Sequence, residues 1–320
     1  MNPAAWPWHT REGLRFDRFM ALALHDPERG YYARRIRGVG RGGDFTTTPM
    51  LSPVLSRALA AWAADALPES GCRNLIELGP GEGLLAAGLL AHLPWWRRLR
   101  VQLHLVESSA PLRAKQAARL GLKVRWHDTI EQALEACNGK ACIYSNEFAD
   151  AFPVRRFRRE DMGWSELYLN PAEEWRPVTQ LPDSTLFDLP HPPGQIIEVA
   201  DAYHDWLRGW LPLWQAGKML TIDYGAPAAD LYHRRPRGSL RAYFMQQRIE
   251  GPGIYENPGR QDLTADVNFT DLQRWSSPHA KNLRLIPQHH FLRPFAGPTD
   301  QALLDEQGAG AAFLVLEQAK

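Results

Sequence analysis

The densest chemical signal in this chain is Leu75-Ile76-Glu77-Leu78-Gly79-Pro80-Gly81-Glu82-Gly83-Leu84. An apolar run carries an acid near its end, and glycines at 79, 81 and 83 precede a helical pattern that starts at Leu84. Glycine lets the backbone turn tightly and lets a ligand approach where a Cβ would collide. A nicotinamide or flavin fingerprint needs Gly-x-Gly-x-x-Gly, and its third glycine would fall on Leu84. The spacing Glu-x-Gly-x-Gly-x-Gly instead suits a nucleoside ligand without a pyrophosphate, such as S-adenosylmethionine. Read singly, the same residues are equally well a structural turn between a strand and a helix.

Further acids recur at matching places. Glu107 follows the apolar run Val101–Val106, about two dozen residues after Gly83, where a carboxylate can accept hydrogen bonds from both ribose hydroxyls. Asp128 follows Val124–Trp126 and His127, where it could meet an adenine amino group. The run Ala141–Tyr144 leads into Ser145-Asn146-Glu147-Phe148-Ala149-Asp150. Two carboxylates there, Glu147 and Asp150, could hold a cationic group by paired charge-assisted hydrogen bonds, as a guanidinium fork requires. The plainer alternative is a helix cap followed by a solvated acid.

The elements that must position these residues alternate. Apolar runs at Leu75–Leu78, Val101–Val106, Val124–Trp126 and Ala141–Tyr144 are separated by helical patterns at Leu84–His92, Pro111–Leu120 and Ile130–Cys137. That rhythm predicts an α/β fold with a parallel sheet covered by helices, and places the acids at carboxyl ends of strands, where such sheets bind ligands. Met219–Asp223 and Ala311–Glu317 read as later core strands. The organisation expected is an N-terminal helical and loop extension over 1–68 and one α/β domain over 69–320. Insertions are expected at about 153–198, opening with a β-hairpin from Val154–Arg158 and Trp164–Leu169, and at about 226–287, a turn-rich lid or binding segment.

Composition narrows the classes. The 320 residues are 44% apolar and 23% charged, a folded rather than a disordered composition. Lys+Arg 37 against Asp+Glu 36 leaves a formal charge of +1, which argues against binding nucleic acid by phosphate neutralisation. Cys72, Cys137 and Cys142 are badly spaced for a disulfide framework or a zinc site, and no metal is expected. Glu198, Asp201, His204 and Asp205 share a helical face but offer few nitrogen ligands, so a solvated face is expected there. Solvated faces are also expected for Arg155–Arg159 and His233–Arg237. No run approaches the roughly 18 apolar residues of a membrane span. The first twenty residues, with Glu12 and Asp17, fit neither a secretory signal nor an acid-free transit peptide, and a cytoplasmic location is expected.

Several segments together resemble the MidA-type class I methyltransferases. They are Asp26-Pro27 with Gly30-Tyr31-Tyr32, Gly43-Asp44-Phe45-Thr46 with Pro49 and Ser52, the Glu77–Gly83 loop, Glu107-Ser108 with Leu112, and Asn146-Glu147-Phe148 with Asp150-Ala151 and Pro153. Ile222-Asp223-Tyr224-Gly225 and Pro258-Gly259-Arg260-Gln261-Asp262-Leu263-Thr264 with Val267 and Phe269 complete the series in family order. The chain departs from the pattern at Met50, Leu55-Ser56, Glu82, Leu84 and Asn268. The resemblance implies a Rossmann-like seven-stranded sheet, S-adenosylmethionine as cofactor, and methyl transfer to a protein arginine, with a respiratory-complex subunit as the acceptor in mitochondrial relatives. It further implies that Gly79, Gly81, Gly83 and Glu107 hold the cofactor, and Glu77, Ser108, Asp128 and Asn146 are expected beside them as further cofactor-binding residues. Asp44, Asn146, Glu147 and Asp150 would line the reactive end, and the segment around Gln261, Asp262 and Thr264 would close over it. A small-molecule methyltransferase and a non-catalytic assembly protein that keeps the fold stay open as alternatives, since fold does not fix function.

Overall fold

A computed structural model describes residues 12–34, 52–121, 124–170, 172–245, 247–306 and 312–320. In chain order the elements are β1 (Leu14–Arg15), α1 (Phe16–His25), α2 (Val54–Glu69), β2 (Asn74–Leu78), α3 (Leu84–His92), β3 (Gln102–Val106), α4 (Ala110–Leu120), β4 (Val124–His127), α5 (Ile130–Ala136) and β5 (Ala141–Asn146). Then come β6 (Arg155–Arg159), β7 (Trp164–Asn170), β8 (Ala172–Val178), β9 (Ile196–Val199), α6 (Asp201–Trp210) and β10 (Lys218–Ala226). The last part holds β11 (Arg241–Phe244), β12 (Gln247–Ile249), β13 (Asp262–Thr264), β14 (Val267–Asn268), α7 (Phe269–Ser276), β15 (Lys281–Pro287) and β16 (Phe313–Ala319).

The main sheet runs β15-β16-β10-β5-β2-β3-β4, with β14 added beside β10. Strands β4, β3, β2, β5 and β10 are parallel, and β16 lies antiparallel between β10 and β15. This mostly parallel sheet of seven consecutive strands is the class I methyltransferase arrangement that the resemblance implies. Successive side chains of a strand point to opposite faces, and the core divides accordingly. Leu75, Leu103, Leu105, Tyr144, Leu220 and Val315 pack with α2 and α3 on one face. Ile76, Ile143, Met219, Leu314 and Leu316 pack with α5, α6 and α7 on the other.

The expected hairpin is present as β6 and β7, but it belongs to a five-stranded antiparallel sheet. One edge of β7 is covered by β8, and the other is shared between β6 and the N-terminal β1. The pairing of Leu14 with Leu169 spans most of the insertion's distance from the N-terminus, which local periodicity does not reveal. Of the segment 226–287, β11, β12 and β13 form a small separate sheet, whereas α7 covers the main sheet and β15 is one of its strands. The inserted part therefore ends before α7. Helix α1 carries Phe16, Phe19, Met20, Ala23 and Leu24 into a cluster with Leu167 and Leu169 of β7, Ala242 and Leu263. It thereby ties the N-terminal segment to both insertions.

Arg155 and Arg156 depart from the expected solvated face. Arg156 is buried, with Nε 3.2 Å from Glu198 Oε1, and Arg155 lies 2.6 Å from Glu166 and 3.2 Å from Asp201. Glu198 and Asp201 are thus partners of arginines, because β6 and β9 are neighbours in the second sheet.

Candidate active site

A cavity of about 730 Å³ opens at the carboxyl ends of β2, β3, β4 and β5. Across the sheet its floor receives Asp128 after β4, Glu107 and Ser108 after β3, Gly79 and Gly81 after β2, and Asn146 and Glu147 at the end of β5. Glu77 also lines it. These residues come from four separate stretches of sequence, and parallel pairing alone brings their strand ends to one rim.

The glycines differ in what they do. Gly79 has φ +61° and a Cβ there would lie 2.5 Å from Phe148 Cδ2. Gly81 has φ +53°, and a Cβ there would meet nothing within 4 Å, so its surface faces open space. Gly83 does not line the cavity. At φ +74° it caps α3, with its Cα face against Gln116 and Leu120 of α4. It shapes the loop from behind, since the helix must start where the chain leaves the left-handed region.

The acids sit in distinct environments. Glu77 is buried, and the Tyr144 hydroxyl donates to its Oε2 at 2.8 Å. Burial pushes its pKa up to about 8, against the lowering effect of that hydrogen bond. Burial also raises the pKa of Glu107, opposed chiefly by the Ser109 amide, which donates to Oε1 at 2.8 Å. Arg113 bridges the ends of β3 and β4, donating from Nε to the Glu107 carbonyl at 2.6 Å and from a terminal nitrogen to Asp128 Oδ1 at 2.6 Å. Behind the loop, the fully buried Gln116 donates to the Gly81 carbonyl at 2.7 Å and accepts from Trp126 Nε1 at 2.8 Å. Glu82, a departure from the family pattern, pairs with Lys115 at 2.8 Å. Neither Gln116 nor Arg113 was singled out by sequence. Both lie on α4 at helical spacing, and only the packing of α4 beside the loop gives them these partners.

The end of β5 combines constraint with an unmet polar group. Glu147 takes φ +52°, a left-handed conformation uncommon for a non-glycine residue, and its amide donates to the Ile222 carbonyl at 3.0 Å. The fully buried Asp223 accepts from the amides of Phe148 at 3.0 Å and Ala149 at 2.8 Å, fixing the turn that carries Glu147. Asn146 Nδ2 donates to Glu147 Oε1 at 3.1 Å, while Asn146 Oδ1 is buried with no partner among the described residues. Phe148, Phe152 and Trp206 pack with ring centroids 5.3–5.6 Å apart and form an aromatic wall.

Asp150 departs from the expected pairing with Glu147. It does not line the cavity; it is buried, and Thr264 Oγ1 donates to its carboxylate at 2.6 Å. One turn of 3-10 helix over Ala149–Ala151 turns it away toward the late insertion. Gln261, Asp262 and Thr264 likewise stand behind the wall, and their link to the cavity runs through Asp150 and through Tyr32, whose hydroxyl donates to Asp262 at 3.2 Å. His25, Tyr31 and Tyr32 complete the wall, with His25 stacked on Tyr32 at 5.3 Å. Asp44 and Met50 lie outside the described residues.

These residues fit S-adenosylmethionine. Gly81 leaves open room beside the loop, Glu107 offers a partly buried carboxylate on the cavity wall, and Asn146 Oδ1 is a buried acceptor still needing a donor. An unpaired buried acceptor is costly in a folded protein unless a ligand or water completes it.

Comparison with known proteins agrees with this geometry. The model of a family of S-adenosyl-L-methionine-dependent methyltransferases matches residues 58–286. The chain is 27% identical to the mitochondrial protein arginine methyltransferase NDUFAF7 of Danio rerio, over 86% of this chain and 71% of that one. It is 25% identical to the Homo sapiens protein of the same name, over 86% and 68%. A Burkholderia thailandensis structure bound to S-adenosyl-homocysteine superposes with a TM-score of 0.84 at 29% identity, covering 97% of this chain and 88% of that one. With the sheet order, the cavity and these matches together, the chain belongs to the MidA-type family of class I methyltransferases and uses S-adenosylmethionine as its cofactor.

Proposed function

We propose that this methyltransferase acts on an arginine side chain of another protein, with Glu147 as the group that receives the guanidinium. The observation that carries this reading is the placement of Glu147: an acid at the end of β5, on the cavity wall beside Asn146 and an aromatic surface, on the far side of the glycine loop from Glu107 and Asp128. The names of the relatives support the same acceptor class.

In this reading Glu107 and Ser108 hold the ribose and Asp128 the adenine. Gly79 and Gly81 give the ligand its room, and Glu77 and Asn146 meet the amino-acid end. When bound, S-adenosylmethionine would supply a sulfonium methyl group open to displacement by a guanidinium nitrogen, the C–S electron pair being left on sulfur. The chain's contribution is chiefly positioning. A guanidinium has a pKa of about 13.8 and arrives protonated, so the site must ease loss of one proton as the new bond forms. Glu147 orients the nitrogen and takes that proton. Phe148, Phe152 and Trp206 keep water from the reacting atoms.

The test is to incubate the protein with methyl-labelled S-adenosylmethionine and cell extract, hydrolyse the labelled protein fraction, and separate the amino acids. Label in methylarginine supports the proposal. Label confined to small molecules or to another residue type overturns the arginine assignment, and no transfer to any fraction favours the non-catalytic alternative.

A further inference from the structure

The segment joining α3 to β3 reads Leu93-Pro94-Trp95-Trp96-Arg97-Arg98-Leu99-Arg100. A single helical turn, Trp95–Arg98, pushes its large apolar side chains outward: Trp95 is 65% exposed, Trp96 51% and Leu99 71%. Leu93 alone turns into the core. The two indoles pack edge to face with centroids 6.0 Å apart, so they form one ridge. Exposing three large apolar side chains within five residues costs solvation that burial elsewhere would recover, and clustered exposure of this kind marks an interaction surface.

Charge says what covers it. Arg97, Arg98 and Arg100 form no ion pair among the described residues, unlike most arginines of the second sheet and its surroundings. Arg73, just before β2, and Lys140, just before β5, stand on the same rim, since the Arg73 carbonyl accepts from Gln102 and the Lys140 carbonyl from Asn74. The acid Glu69, at the end of α2, is taken up by Lys218, and Glu135 is the acid on α5 near this rim. A second copy of the chain would bring like charge against like.

The segment also lies at the opposite pole from the cavity. The Gly79–Gly81 loop and Leu84 line the cavity, and α3 then runs for 9 residues, about 13 Å, away from it. Because β3 is parallel to β2, its start is at the rim opposite the cofactor site. This ridge therefore does not contact the methyl acceptor in the cavity.

We propose that Trp95, Trp96 and Leu99, flanked by Arg97, Arg98 and Arg100, dock the protein on an anionic lipid surface with the cavity facing away from it. Indole belongs at the boundary of headgroup and hydrocarbon, where its ring is apolar and its N–H is wet. Arginine stems bury along the apolar layer while the guanidinium stays with lipid phosphate. The ridge is a single exposed helical turn, short enough to enter the interface without the rest of the fold.

The test is vesicle flotation of the full chain, with phosphatidylcholine alone and with equal parts phosphatidylcholine and phosphatidylglycerol. The protein floats with the anionic vesicles and not with the neutral ones. Each arginine near such a surface contributes about five-fold to partitioning, so Arg97→Gln with Arg98→Gln and Arg100→Gln lowers it on the order of a hundred-fold. Trp95→Ser with Trp96→Ser removes the vesicle-induced blue shift of tryptophan emission and lowers partitioning about ten-fold. Unchanged circular dichroism and unchanged S-adenosylmethionine binding in both variants show that the fold is kept. Absence of flotation overturns the proposal, as does flotation equal to wild type in both variants. Loss with the arginine changes alone marks diffuse electrostatics and overturns it too. Capture on polyglutamate through the same arginines, without flotation, makes the face a protein-docking surface instead.

Discussion

Gln116 Nε2 donates a hydrogen bond to the carbonyl oxygen of Gly81 across 2.7 Å, joining α4 to the loop that faces the cofactor cavity. The same side chain accepts from Trp126 on β4, so one fully buried amide sets the spacing of loop, helix and third parallel strand. Replacing it by alanine leaves the Gly81 carbonyl and the Trp126 N–H without these partners. Gln116→Ala is expected to lose about 2 kcal/mol of stability and to weaken S-adenosylmethionine binding about ten-fold, measured by urea denaturation and calorimetric titration. Wild-type affinity in a destabilised variant would confine Gln116 to a packing role.

The glycines at 79 and 81 separate folding from binding. Gly79→Ala places a Cβ against the Phe148 ring and strains the backbone at φ +61°, and is expected to cost about 2–3 kcal/mol. Gly81→Ala meets no atom within 4 Å and is expected to cost only about 1 kcal/mol of backbone strain. Both weaken cofactor binding, but the loss in Gly81→Ala occurs in a protein that unfolds near the wild-type denaturant midpoint. Equal destabilisation by the two changes would contradict this division.

Glu147→Gln keeps the size of the side chain and removes its charge. Turnover is expected to fall about 100-fold, within the usual range for losing a general base, while affinity for S-adenosylmethionine stays within about two-fold. Asp150→Asn, changing a side chain that lies behind the wall, is expected to act mainly on stability through its bond with Thr264. Comparable turnover in wild type and Glu147→Gln removes Glu147 from the reaction.

Glu77 makes stability depend on pH. Its pKa is near 4.5 unfolded and is pushed up to about 8 in the fold, so between those values the folded state holds a proton that the unfolded state has released. The stability this proton provides is full below about pH 4.5 and declines as pH rises to about 8, by roughly 1.4 kcal/mol per pH unit at most. Glu77→Gln removes that dependence and can still accept from Tyr144. Denaturation of both proteins without cofactor at about pH 5 and about pH 8 should show the variant gaining on wild type as pH rises. Parallel pH profiles would show that Glu77 is not protonated in the fold.

Much of this molecule is legible locally. The alternation of apolar runs and helical patterns from Asn74 to Asn146 maps onto four parallel strands and their helices, because both periods are written in consecutive residues. Glu107, Asp128, Asn146 and Glu147 are legible as strand-end groups, and parallel strands must present those ends at one rim. Met219–Asp223 and Ala311–Glu317 are legible as later core strands in the same way, and the family motifs single out the cofactor that the glycine spacing only suggests. Less legible were β8, β9 and β1 around the expected hairpin, and the ion pairs of Arg155 and Arg156, whose partners lie far along the chain.

The order of elements, the glycine loop and the acids at the strand ends are all written locally, since each depends on residues close together in the chain. Which of those acids share one cavity is settled only by the packing of distant segments. Asp150 is three residues from Glu147 and spacing pairs the two, yet a 3-10 turn held by Asp223 sends it to Thr264 instead. Gln116 reaches Gly81 across 35 residues, and Tyr144 reaches Glu77 across 67. Such contacts exist only when distant segments are packed side by side, and no local period encodes them.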